Sequence, residues 1–152
     1  MLSKKAKYAL KALEFIAKQN PDLPIHTATI ATSQRIPRKF LEAILVEMKN
    51  DGLLRSKQGK SGGYFLNQLA EEIKLGHVIR LIDGPIALVP CVSYKYYKTC
   101  DECLDESTCG LKVIMSDLRE ATNNVLNKVS IADILENEKQ LIKQLKSSIH
   151  RE

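Results

Sequence analysis

The sequence predicts a mainly α chain with a small β-hairpin, and three observations predict it. Apolar residues recur at three- and four-residue spacing through most of the 152 residues, the period of helices with one buried stripe. Residues 53–66 break that period into two short apolar runs around a Gly-rich tip, which is the pattern of a hairpin. Aromatics make up only 5% of the chain and Trp is absent, so the core must be aliphatic. A chain of this length suits one domain, or a small domain with an extension, and can bury roughly 70% of its unfolded surface.

The elements follow in order. Ala6, Ala9, Leu10, Leu13, Ile16 and Ala17 make one stripe on a helix over Ser3–Gln19, with most Lys residues off it. Asn20-Pro21-Asp22 and Pro24 end that helix in a turn. Thr27 introduces a second, short helix with Ile30 and Ala31 on one side. Gln34-Arg35-Ile36 reads as the next turn, and Pro37 suits the first turn of a third helix, where its missing N–H costs nothing. Phe40, Leu41, Ile44, Leu45 and Met48 carry that helix to Gly52. Leu53–Lys57 and Tyr64–Leu66 form the hairpin. Another helix is expected over Glu71–Ile82, ending at Asp83-Gly84-Pro85. Residues 86–108 lack periodicity. The pattern then resumes with Leu111, Ile114, Met115, Leu118, Ala121 and Val125 on a long helix. Ser130 and Asp133 look like a capping box for a short last helix, which the tail through Leu141, Ile142, Leu145 and Ile149 could extend.

Two helices joined by a short turn, then a basic hairpin, spell a winged helix-turn-helix. Charge agrees with that reading. Residues 1–60 hold 12 Lys/Arg against 5 Asp/Glu, whereas residues 61–152 hold 11 against 13. A basic first part joined to a slightly acidic second part suggests a polyanion-binding module with something attached. The start of a recognition helix lies nearest base edges, which singles out Arg35, Arg38 and Lys39. Arg can engage both acceptors of a guanine edge, and Lys can reach base or phosphate. Lys57, Gln58, Lys60 and Ser61 on the wing can reach phosphates or the minor groove. Ser3 and Lys4, with Lys5 and Lys7, can hold phosphate through charge and helix-start amides. Any one such residue could be ordinary solvated surface. The group in this order points to double-stranded DNA.

All four cysteines, Cys91, Cys100, Cys103 and Cys109, fall in one acidic, aperiodic stretch. Disulfides would suit a secreted protein, but Met1–Tyr8 is followed by no unbroken apolar run of the kind a signal peptide needs, and no stretch is long enough to span a membrane. A cytoplasmic protein is expected. Thiolates then favour zinc or an iron–sulfur cluster, and spacing alone does not choose between them. Reversible oxidation of the Cys100-x-x-Cys103 pair is a further reading, which Asp101 and Glu102 disfavour by raising thiol pKa values. An enzyme is not expected, because His26, His77 and His150 are scattered and no Ser/His/Asp constellation forms.

The chain resembles the Rrf2 family of winged helix-turn-helix transcription regulators, the IscR, NsrR and CymR type. Tyr8-Ala9-Leu10 looks like the family's opening. Ile36-Pro37, Phe40-Leu41-Glu42 and Ile44-Leu45 look like its recognition helix. Gly52-Leu53-Leu54, Gly59 and Ser61-Gly62-Gly63-Tyr64-Phe65-Leu66 look like its wing. The resemblance implies a homodimer built on a long helix over Leu111–Lys128, with each recognition helix in a half-site of a near-palindromic operator. It also implies a cluster at the cysteines, with Cys103 and Cys109 matching the last two of three ligands, Cys91 the first, and Cys100 an additional or alternative one. Three departures stand out: Lys112 where the cluster regulators carry a fourth-ligand His, no Asp before Asp22, and Gln58 in place of a wing Arg.

The expected organisation is a DNA-binding domain over 1–84, a cysteine-bearing sensor loop over 85–110, and a dimerisation helix with a C-terminal helix over 111–152. The expected function is a repressor whose operator affinity depends on an iron–sulfur cluster of the 2Fe-2S or 4Fe-4S type. The alternatives are the same fold with structural zinc or thiol-redox sensing, and, less favoured, a small redox or metal-binding protein that does not bind DNA.

Overall fold

The computed structural model describes residues 2–149. In chain order it contains α1 (Lys4–Ala17), α2 (Thr27–Gln34), α3 (Arg38–Asn50), β1 (Leu54–Lys57), β2 (Gly63–Leu66), α4 (Leu75–Asp83), α5 (Gly110–Lys128) and α6 (Ile131–Ile149). Short 3-10 turns at Pro90–Val92 and Glu106–Thr108 punctuate the stretch between α4 and α5. The mainly helical class and the single hairpin are as the sequence predicts. None of the described helices is long and apolar enough to cross a membrane.

One aliphatic core holds α1 to α4, the hairpin and the start of α6 together. The small side chains of Ala9 and Ala12 let α1 pack closely beside Leu13 and Ile16. Ile30 and Ala31 of α2, and Leu41, Ile44, Leu45 and Met48 of α3, close over them. Leu53, Leu54, Ile73, Val78 and Ile131 complete the cluster, so α4 and the first turn of α6 belong to the same body. A 2.5 Å ion pair from Lys18 to Glu138 ties the end of α1 to α6.

Local chemistry sets most boundaries. Ser3 caps α1 by accepting from the Ala6 N–H at 3.0 Å. Pro37 sits one residue ahead of α3 as its cap. Gly52, with φ of +91°, lets the Leu53 N–H turn back to the Met48 carbonyl at 3.0 Å and so stops α3. The hairpin pairs Leu54 with Leu66 and Lys57 with Gly63. Ile25 adds a bridge, exchanging two 2.9 Å backbone bonds with Tyr64. This forces the chain so close to Gly63 that a Cβ there would overlap the Ile25 carbonyl oxygen.

Two elements differ from expectation. The fourth helix begins at Leu75 rather than Glu71. Residues 69–72 turn instead, with the Glu72 N–H bonded to Leu69 O, and the strand-like stretch 73–75 pairs with 129–131. That tertiary pairing takes backbone groups a longer helix would need. The last helix is 19 residues long rather than short. Its capping box forms as expected, with Asp133 Oδ2 accepting from both Ser130 N and Ser130 Oγ at 2.7 Å. Beyond Glu138 the helix runs on with Leu141, Ile142 and Leu145 exposed.

Candidate nucleic-acid interface and cysteine segment

The buried residues of α3 recur at three and four, so their orientation fixes what faces outward. Leu41, Ile44, Leu45 and Met48 point to the core, leaving Arg38, Lys39, Glu42 and Lys49 in solvent. Arg38 pairs with Glu42 one turn later, Nε to Oε1 at 2.9 Å. Both side chains are well exposed, so the pair is worth little and a stronger acceptor can displace it. Arg35 caps α2 in the left-handed region at φ of 53° and lies exposed just before α3. The turn is closed by the Ile36 N–H on Ala31 O at 2.9 Å.

Between the start of α2, the solvent side of α3 and the wing runs an open groove of about 630 Å³. It brings Arg38 together with Lys57 and Gln58, three of the residues singled out in the sequence. Lys49 and the first residues of α2, among them Thr27 and Thr29, also line it and were not foreseen. The basic character of Lys49 was legible, but its place at the far end of α3 gave no reason to prefer it. Among the described residues no Asp or Glu lines the groove. Lys39, Lys60 and Ser61 are exposed beside the groove's elements without lining it. Ser3 and Lys4 lie elsewhere, at the start of α1. Lys4 is exposed there, whereas Ser3 is engaged with Asp83 at the end of α4, its N–H donating to Oδ2 at 3.0 Å and its hydroxyl to Oδ1.

The cysteine segment is folded back against α5. Arg119 in mid-α5 donates to the Val92 carbonyl and, at 2.9 Å, to the Tyr94 hydroxyl, with its guanidinium 4.0 Å from the Tyr94 ring centre. This pins the Pro90–Val92 turn and buries Cys91. The Cys100 and Cys91 sulfurs lie 3.8 Å apart. Cys103 follows in a turn closed by its N–H on Cys100 O at 3.1 Å. Cys109 is the residue ahead of α5. All four thiols are free. The hydrogen bond to Cys91, then burial, pushes the Cys100 thiol up. Burial first, then the neighbouring Cys109 and Glu106, does the same for Cys103.

Two sulfurs on one tetrahedral ion at about 2.3 Å sit roughly 3.8 Å apart, so Cys91 and Cys100 fit a shared metal. Among the described residues no third His, Cys, Asp or Glu joins them, and a complete donor set is not assembled within one chain. Lys112, at the position where cluster regulators carry a His, is instead paired with Glu106 at 3.2 Å. Glu106 also accepts from the Tyr97 hydroxyl, which holds its carboxyl below the usual range. His26 is exposed ahead of α2, His77 contacts Asp51 at 2.5 Å, and His150 lies outside the described residues.

The Rrf2 family, described as "Iron-dependent Transcriptional regulator", matches residues 2–137. An rrf2-like HTH-type regulator of Rhodobacter capsulatus is 35% identical over 138 residues, covering 89% of this chain and 92% of the relative. The HTH-type transcriptional regulator IscR of Erwinia tasmaniensis is 28% identical, covering 93% and 82%. Among solved structures, CymR (YrzC), the global cysteine regulator of Bacillus subtilis, superposes with a TM-score of 0.74 at 25% identity, covering 90% of this chain and 97% of that one. The chain belongs to the Rrf2 family of helix-turn-helix transcriptional regulators, with that family's DNA-binding fold and no catalytic role.

Proposed function

We propose that this chain is a homodimeric transcription repressor that binds a near-palindromic operator in double-stranded DNA and whose affinity is set at its cysteine segment. The basic groove holding Arg38, Lys49, Lys57 and Gln58 between α3 and the wing, with Glu42 alone pairing Arg38 from outside its lining, carries the reading. Arg38 and Lys39 read base edges in the major groove. Arg35, Lys57, Gln58, Lys60 and Ser61 contact flanking phosphates or the minor groove, and Ser3 and Lys4 bind backbone at the start of α1. For Ser3 this requires sharing with Asp83.

Dimer formation is supported by α5. Leu111, Ile114, Leu118 and Val125 are 61%, 55%, 44% and 60% exposed in the single chain, and they fall on one face of a 19-residue helix. Such a stripe about 21 Å long is covered in a stable protein, and an equivalent helix is its natural cover. An iron–sulfur cluster held by Cys91, Cys100, Cys103 and Cys109 is the favoured occupant of the segment. Cys103 and Cys109 must then close on the Cys91–Cys100 pair, and the dimer supplies a route for a donor from outside the chain. The 3.8 Å sulfur separation equally favours the alternative, zinc or thiol oxidation at Cys91 and Cys100.

Selection from a random double-stranded DNA pool tests the reading. Two inverted half-sites about one helical turn apart are expected. Enrichment of a single asymmetric site would remove the dimer, and no enrichment in any redox or metal state would remove the operator.

A further inference from the structure

The side of α5 turned away from its exposed apolar stripe faces α4, and there the fold leaves a cavity of about 290 Å³. Its walls come from Arg80 on α4, from Arg119 and Asn123 on α5, and from parts of the 84–95 segment. Among the described residues three cations line it, Arg80, Lys95 and Arg119, and no Asp or Glu does. Arg119 is the buried one of the three, and a buried cation with no carboxylate facing it is costly for a fold to leave uncompensated.

The hydrogen bonds sharpen the imbalance. Arg119 is only 8% exposed at its side chain, and its terminal nitrogens go to neutral oxygens of Val92, Tyr94 and Ser116. Its Nε has no acceptor among the described residues. The nearest carboxylate, Glu120, reaches it at 3.4 Å from a largely solvated position, which compensates little. Arg80 spends its donors on the neutral amides of Asn123 and Asn127, at 3.3 and 2.8 Å. Ser93 is buried at the same wall. Its hydroxyl oxygen accepts from Tyr96 N at 3.1 Å, and its proton has no acceptor among the described residues. The cavity therefore offers a buried cationic donor, two further cations and a free hydroxyl donor to the same small space.

We propose that this cavity binds a small oxyanion, a carboxylate or phosphate-type group, paired by Arg119, Arg80 and Lys95 and hydrogen-bonded by Ser93. The volume lies at the lower end of the roughly 300–1,000 Å³ typical of ligand cavities, which selects a ligand the size of phosphate or a four-carbon dicarboxylate over a nucleotide. The ligand would join α4, α5 and the residues just after Cys91. Because the site lies within one chain, its test needs neither operator nor cofactor, and its failure is separate from failure of the DNA-binding reading.

The experiment is thermal denaturation of the full chain titrated with inorganic phosphate and, separately, succinate, each against sodium chloride at matched ionic strength. Ligand at about a hundredfold over its Kd should raise Tm by roughly 5–10 °C. Chloride should not. Lys95 is exposed on a loop, so Lys95→Ala leaves the fold intact, whereas Arg80→Gln keeps the apolar core but gives up bonds to Asn123 and Asn127, so each variant is compared with its own ligand-free Tm. Each should weaken the anion about tenfold or more. A response to phosphate alone assigns a phosphoryl-type ligand, and one to succinate alone assigns an organic carboxylate. No shift with either anion overturns the proposal, as do equal affinities in wild type and both variants.

Discussion

Arg119 and Val92 are joined by a hydrogen bond from the guanidinium of α5 to the main-chain carbonyl of the residue that follows Cys91. The helix proposed to form the dimer thus grips the backbone of the cysteine segment directly. A change of state at the cysteines has a short physical route to α5, and α5 is tied through Arg80, Asn123 and Asn127 to α4 of the DNA-binding body.

Removing that grip should loosen the segment. Arg119→Ala deletes bonds to Val92 and Tyr94 and leaves the carbonyl of buried Val92 unpaired, at a cost of about 1–3 kcal/mol. Thermal denaturation reads the loss, and faster alkylation of Cys91, buried in the parent, reads where it occurs. Unchanged alkylation would mean that the Pro90–Val92 turn is held by something other than Arg119.

Arg38→Ala should weaken the selected operator by roughly 5- to 150-fold and relax preference at one base position, the signature of a lost base contact. Lys4→Ala should weaken all duplexes alike and reduce the salt dependence of binding. Titrations on operator and scrambled DNA separate the two. An equal loss on every sequence for Arg38→Ala would remove its base-reading role.

Cys103→Ala or Cys109→Ala should abolish bound iron and sulfide in protein purified without oxygen. Elemental analysis with a visible spectrum checks this. A colourless parent protein holding one zinc per chain would sink the cluster in favour of zinc.

Gly63→Ala should destabilise the wing by roughly 1–3 kcal/mol, because the new Cβ collides with backbone at Ile25 rather than with a movable side chain. The melting temperature should fall, and operator affinity should fall with it, since the Ile25–Tyr64 bridge also shapes the groove.

Acid should weaken the α5–α6 corner. The Ser130 side chain and N–H hold the Asp133 carboxyl below its usual 3.8. A depressed folded-state pKa means the contribution is complete above the unfolded value and is lost as pH falls through the folded one. Stability of the parent should therefore decline below about pH 4, and part of that decline should vanish in Asp133→Asn. Identical acid profiles would show that the capping box contributes nothing to pH dependence.

Much of this was legible without coordinates. The alanine and leucine stripe of α1, the Pro37 start of α3 and the Gly52 stop are local signals, acting over one or two helical turns. The Ser130–Asp133 box likewise spans three residues. Arg38, Lys57 and Gln58 were identified from residue type and order alone, and the fold brings them to one groove. Lys49 was missed because a basic residue near a helix end carries no local mark of what it will face.

The helix and hairpin pattern, the order that makes a winged helix-turn-helix and the confinement of the cysteines to one segment can all be read along the chain. Periodicity, caps and turn residues specify these through near neighbours. Packing in three dimensions is what pairs residues 73–75 with 129–131 and so delays α4, sets Lys112 against Glu106, and brings Cys91 to Cys100. It alone gathered Arg80, Lys95 and Arg119 around one cavity. These relationships join distant parts of the chain, and which distant groups meet depends on how whole elements pack, a property no local window contains.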